Sequence, residues 1–102
     1  VTWTKLDDSF YDDPKILGVG NEAVGVYARL LSYCGRHETD GTIPSEVAGF
    51  VGRPKVLLRL IDAGLLEQLD NAVRIPQYLK FNPSHKTLEA KREADRKRKA
   101  AA

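Results

Sequence analysis

Four groupings in this sequence combine residue types able to do chemistry. They are Cys34-Gly35-Arg36-His37, the acids Asp7, Asp8, Asp12 and Asp13, the run Gly18-Val19-Gly20, and a set of cations from Arg53 onward. The C-x-x-H spacing offers two metal ligands, but a structural zinc takes four, and the chain adds only His85 as a further nitrogen donor of the usual kind. As a nucleophile and base, the same pair lacks both an orienting third group and a marked oxyanion site. The acidic cluster has neither the spacing of an EF-hand nor its closing glutamate, which leaves solvated caps as its expected use. Gly18-Val19-Gly20 follows no strand of a βαβ unit and precedes no Gly-Lys-Ser, so nucleotide binding is rejected. These groupings point to no enzyme, no cofactor and no metal.

The cations carry a different chemistry. At 100° per residue, Lys55, Arg59 and Asp62 lie opposite Leu57, Leu60 and Ile61, which predicts a helix with a buried apolar side and a solvent-facing cationic one. Arg59 has the planar fork that matches O6 and N7 of guanine, whereas Arg53 and Lys55 near the helix start suit phosphate. Arg74, alternating away from Val73 and Ile75, is a further candidate on an expected hairpin. A last group, Lys91, Arg92, Arg96, Lys97, Arg98 and Lys99, belongs to a basic tail. Residues 86–99 hold seven Lys or Arg against Glu89, Glu93 and Asp95, a net +4, and the rest of the chain has nine against eleven, a net −2. The basic pI therefore belongs to the tail, and the body lacks the strong positive field of a tight non-specific nucleic-acid binder.

Local signals set out the elements that position these residues. Pro14 suits the first position of a short helical turn over residues 15–17. Asn21 is expected to cap the main helix, in which Ala23, Tyr27, Leu30, Leu31 and Cys34 recur at helical spacing. Gly25 within that helix suggests a close crossing with another, and His37 is expected to be exposed near its end. Thr42 and Ile43 give a brief extended segment. Pro44-Ser45 then caps a short helix bearing Val47, Ala48, Phe50 and Val51, which Gly52 stops. Pro54 opens the cationic helix and Gly64 closes it. Residues 65–69 and 73–75, separated by Asp70-Asn71-Ala72, predict the hairpin. Tyr78, Leu79 and Phe81 are expected to fold over the core beside Trp3. After Asn82-Pro83-Ser84, a last helix has only Leu88, Ala90 and Ala94 as apolar residues, too few for a buried stripe. It must lean on local pairs such as Glu93 with Lys97, and is expected to fray or extend into solvent.

The expected fold is mainly α with a small β-hairpin, of the α+β class. Long helix, brief strand, short helix, turn, short helix and hairpin is the order of a winged helix-turn-helix, here with an extended C-terminal helix. Residues 1–84 form the expected winged-helix domain, and residues 85–102 a basic helix or linker. With a single cysteine no internal disulfide is available, and a reducing setting is expected. No apolar run approaches a membrane span and no secretory pattern opens the chain, so a cytoplasmic protein with no membrane partner is expected. A start at Val1 suggests a fragment or processed chain.

Several stretches carry a family likeness: Trp3 with Lys5-Leu6, Phe10 ahead of Asp13-Pro14-Lys15-Ile16-Leu17, Tyr27 with Leu30-Leu31-Ser32-Tyr33, and Asp40-Gly41-Thr42-Ile43-Pro44. Ala63-Gly64-Leu65-Leu66-Glu67 and Tyr78-Leu79-Lys80-Phe81-Asn82-Pro83-Ser84 complete the set. On these features the chain resembles the N-terminal winged-helix domain of phage replisome organisers and related primosomal helicase-loader proteins, over most of residues 3–84. The resemblance implies origin or single-strand DNA binding, self-association as a homo-oligomer through the winged helix, and recruitment of a replicative helicase by a C-terminal domain absent here. It assigns no individual contact residue. Transcriptional regulation uses the same parts, and a self-association module that does not itself bind DNA is the rival reading.

Overall fold

The computed structural model describes residues 3–82 and 84–101, with the side chains of Phe81 and Ala101 left aside. Pro14 opens α1 (Pro14–Val19), and the Asp13 carboxylate caps it by accepting from the Lys15 N–H at 2.8 Å. A 3-10 turn, Phe10–Asp12, precedes it. α2 (Asn21–His37) buries Ala23, Val26, Tyr27, Leu30, Leu31 and Cys34, a single stripe at helical spacing. Asn21 is not its cap. The junction with α1 needs a positive φ of 86° at Gly20, which glycine adopts without strain, and this makes Gly20 the cap and draws Asn21 into the first turn.

The chain continues through β1 (Thr42–Pro44), α3 (Ser45–Val51), α4 (Pro54–Asp62), β2 (Glu67–Gln68), β3 (Ala72–Arg74), α5 (Tyr78–Phe81) and α6 (His85–Ala101). β2 and β3 form the expected hairpin, though with shorter strands than residues 65–69 and 73–75 and with Ala72 paired to Pro44 in β3 and not in the turn, and β1 joins on the other side of β3. The result is a three-stranded antiparallel sheet in the order β1-β3-β2, with Ile43 opposite Val73. Helices dominate the rest. Ser45 is no cap either: Pro44 takes that position, and the Ser45 N–H donates to the Asn71 carbonyl at 2.9 Å, tying α3 to the hairpin turn.

α2 is the spine on which α1, α3, α4 and β1 pack. Leu30 and Cys34 of α2, with Ile43, Val56, Leu60 and Ile75 from the elements around it, are the largest fully buried side chains, so one core joins the helices to the sheet. The close approach expected at Gly25 lies elsewhere. A Cβ on Gly25 would meet nothing within 4 Å, whereas one on Gly52 would lie 2.7 Å from Val26 Cγ1 and 3.3 Å from Leu57 Cδ2. Gly52 is what lets the turn between α3 and α4 press against α2.

Near the C-terminal part of the body, Tyr78 is buried but Leu79 is exposed. Trp3 does not join the core and is 83% exposed. The N-terminal segment is held instead by its backbone, through the Lys5 N–H donating to Asn82 Oδ1 at 2.7 Å. The expectations for the Phe81 ring and for Pro83 fall outside the described residues. α6 lies largely in solvent and stretches the molecule to 53 × 30 × 18 Å. The radius of gyration, 15.5 Å, exceeds the roughly 13 Å of a compact chain of this length. Among the described residues no helix is long and apolar enough to cross a membrane.

Candidate nucleic-acid interface

α4 is placed by its two ends and its buried side. Gly52 enters it extended, Pro54 opens it, and Val56 and Leu60 are fully buried beneath it. Leu57 and Ile61, expected in the core, are only partly buried. The packed stripe is thus turned slightly from the expected one, because Val56 and not Leu57 fills the space beside α2. Lys55, Leu58, Arg59 and Asp62 are exposed and fall, at 100° per residue, within an arc of about 100° turned away from Val56 and Leu60.

The cations on and around this face differ in what they touch. Arg53 is engaged: its Nε and Nη2 donate to Glu22 Oε2 and Oε1 at 3.0 and 2.8 Å. This two-pronged contact holds the Glu22 carboxyl below the usual carboxylate range, and Arg59 adds to the effect through space. Glu22 is in the first turn of α2, and packing of α4 on α2 is what brings it to Arg53, 31 positions further along the chain. Lys55 and Arg59 have no ion-pair partner among the described residues. Arg59 lines a shallow groove with Lys15, Gly18, Val19, Asp62 and Ala63. Lys15 thereby joins the candidate face, and no sequence signal marked it, since only tertiary packing sets α1 beside α4.

Arg74 stands directly opposite Glu67 in the hairpin register, and its Nη2 donates to Glu67 Oε2 at 2.6 Å. The hairpin therefore presents an ion pair and not a lone cation. On α6, Arg92 pairs with Glu38, Arg96 with Glu93, and Arg98 with Asp95. Glu93 has taken Arg96, one turn away at i,i+3, in place of the expected Lys97. Lys91, Lys97 and Lys99 are exposed without an ion-pair partner among the described residues. At 100° per residue the cations of α6 surround the helix and form no stripe, so the tail offers diffuse positive charge, not a shaped site.

The base of α6 is held to the body at one point. Glu38, the left-handed residue that ends α2 at φ 53°, accepts from Arg92 and lies 2.8 Å from His85 Nδ1, while the His85 backbone N–H donates to Asp40 Oδ1 at 2.7 Å. His85 Nε2 also lies 3.1 Å from Glu89. The Glu38 hydrogen bond, with Glu89 adding, raises the His85 pKa, and the Arg92 and His85 contacts hold Glu38 below the usual carboxylate range.

The remaining groupings take structural parts. Cys34 is fully buried, and burial pushes its thiol pKa up, while His37 is exposed and packs against Tyr33 with the rings tilted by 36° and their centroids 4.4 Å apart. The C-x-x-H pair is therefore split between core and solvent. Asp7 and Asp13 accept from the Ser9 and Lys15 backbone N–H groups, at 3.0 and 2.8 Å. No family model matches this chain, and no curated protein or solved structure matches it significantly.

Proposed function

We propose that the chain is a winged-helix DNA-binding domain acting in phage or bacterial replication initiation, with α4 as the helix that enters the major groove. One observation carries the reading: Lys55 and Arg59 lie exposed on a helix whose opposite side, Val56 and Leu60, is anchored in the core. A rigidly held helix with a cationic outer face meets the main geometric requirement for reading base edges. The pairing of β1 with β3 supports it, because a small sheet whose hairpin follows α4 is what a winged helix would use for a lateral contact. In this reading Arg59 addresses guanine, Lys55 and Lys15 address phosphate, and α6 adds sequence-independent attraction. The replication assignment comes from the likeness to replisome organisers described above.

A second reading, self-association without DNA binding, is favoured by the mildly acidic body and by the Phe50 side chain, 82% exposed on α3. Titrating duplex binding against salt separates the two. Phosphate contact makes log K fall against log salt with a slope of about −0.9 per neutralised phosphate. Arg59→Ala should then cost roughly 1–3 kcal/mol on the preferred duplex and less on random DNA. Equal losses on both would remove Arg59 as a base reader, and salt-insensitive dimerisation with no DNA binding would favour the second reading.

A further inference from the structure

Leu58 is an exception on α4. Its neighbours on the outer arc, Lys55, Arg59 and Asp62, are charged, yet Leu58 is a large apolar residue left 56% exposed. The core does not explain it, because Val56 and Leu60 already fill the space under the helix and Leu58 is on another side. Helix propensity does not require leucine there either, since lysine, glutamate or glutamine would serve about as well.

Its position relative to the charges is informative. Lys55 is three residues before it and Asp62 four after, the spacings at which helical side chains are immediate neighbours. A polyanion drawn onto Lys55 and Arg59 therefore covers Leu58 and takes it out of water. On the major-groove edge of a duplex, donors and acceptors of hydrogen bonds leave leucine nothing to pair with, and the one apolar group displayed is the C5-methyl of thymine. We infer that Leu58 is a specificity-determining residue that packs on a thymine methyl in the bound major groove. The inference rests on the DNA-binding reading and adds to it a base preference.

The test uses a duplex selected by the protein from a randomised pool, in which each thymine is replaced in turn by deoxyuridine, removing only the methyl group. At one position the wild-type protein should lose about fourfold in affinity, the transfer free energy of one buried methyl. Leu58→Ala should bind the parent duplex more weakly by a similar factor and be indifferent to that replacement. Because Leu58 contributes little to the core, the melting temperature of the variant should stay close to that of the wild type, which checks that the fold is intact. Selective binding that is insensitive to every deoxyuridine, or a Leu58→Ala protein that remains as sensitive as the wild type, overturns the inference and leaves the DNA-binding reading standing. Loss of self-association in Leu58→Ala with deoxyuridine sensitivity retained overturns it too, by placing Leu58 in a contact between copies. Absence of any selective duplex binding removes the underlying reading and the inference with it.

Discussion

On the DNA-binding reading proposed above, replacing Glu22 by glutamine should strengthen binding to a duplex. In the folded protein the Glu22 carboxylate occupies both prongs of Arg53 and also acts on Arg59 through space. The amide keeps the size and helix preference of the side chain but removes the charge that holds Arg53. The pair is solvent-exposed, with side chains 66% and 50% accessible, so its loss should leave the melting temperature nearly unchanged. What changes is the number of cations free to meet phosphate. One further contact steepens the slope of log K against log salt by about 0.9, so from 50 to 200 mM salt the variant should lose roughly 3.5-fold more affinity than the wild type. Fluorescence anisotropy with a labelled duplex at four or five salt concentrations would measure both slopes. Adding Arg53→Ala to Glu22→Gln should restore the wild-type slope. An unchanged or shallower slope in Glu22→Gln would refute the reasoning. A slope that stayed steep in the double variant would assign the gain to Arg59 instead. Acid is no substitute for the mutation, because the lowered Glu22 pKa keeps the carboxylate charged until pH falls below the ordinary carboxylate range.

Three further outcomes are expected. Gly25→Ala, with open space around the new methyl, should stabilise α2 by about 1 kcal/mol, whereas Gly52→Ala, crowding Val26, should destabilise by roughly 1–3 kcal/mol; chemical denaturation midpoints distinguish the two signs. The stabilisation from the contact of His85 with Glu38, Glu89 and Asp40 should be complete below the unfolded histidine pKa of about 6.5 and lost as pH rises through the raised folded value. Amide exchange in the first turn of α6 should therefore quicken from mildly acidic to alkaline pH beyond its intrinsic pH dependence, and His85→Gln should abolish that excess. Deleting residues 91–102 should weaken binding to all DNA sequences alike and leave the melting temperature nearly unchanged; a large fall would mean that the tail contributes to the body's stability through more than the Arg92 contact.

The readings that held in the structure rest on local sterics or on periodicity. Pro14 and Pro54 open helices because their fixed φ suits a first turn wherever the chain goes next. The stripe of α2 follows from spacing alone, as does the hairpin from its turn residues. Asn21 and Ser45 both look like caps and neither is one, since a cap depends on the φ of the junction and on which carbonyl is nearby, as Gly20 and Asn71 show. The charged partners were the least legible part of the site. Arg53 meets Glu22 across 31 residues and Arg92 meets Glu38 across 54, separations over which one-dimensional patterns carry no signal. Gly25 and Gly52 make the same point for packing: both interrupt apolar segments, and only the three-dimensional path distinguishes the crowded glycine from the idle one.

Glu38 ends one helix and, with Asp40, steadies the base of another, so the heading of α6 depends on two carboxylates near its foot. α6 has 17 residues and so a length of about 25 Å. A swing of about 20° at that pivot carries the far end through roughly 9 Å, or between two and three base-pair steps along a duplex. Loosening one surface cluster would thus widen the territory swept by Lys97 and Lys99 while leaving the domain beneath them unmoved.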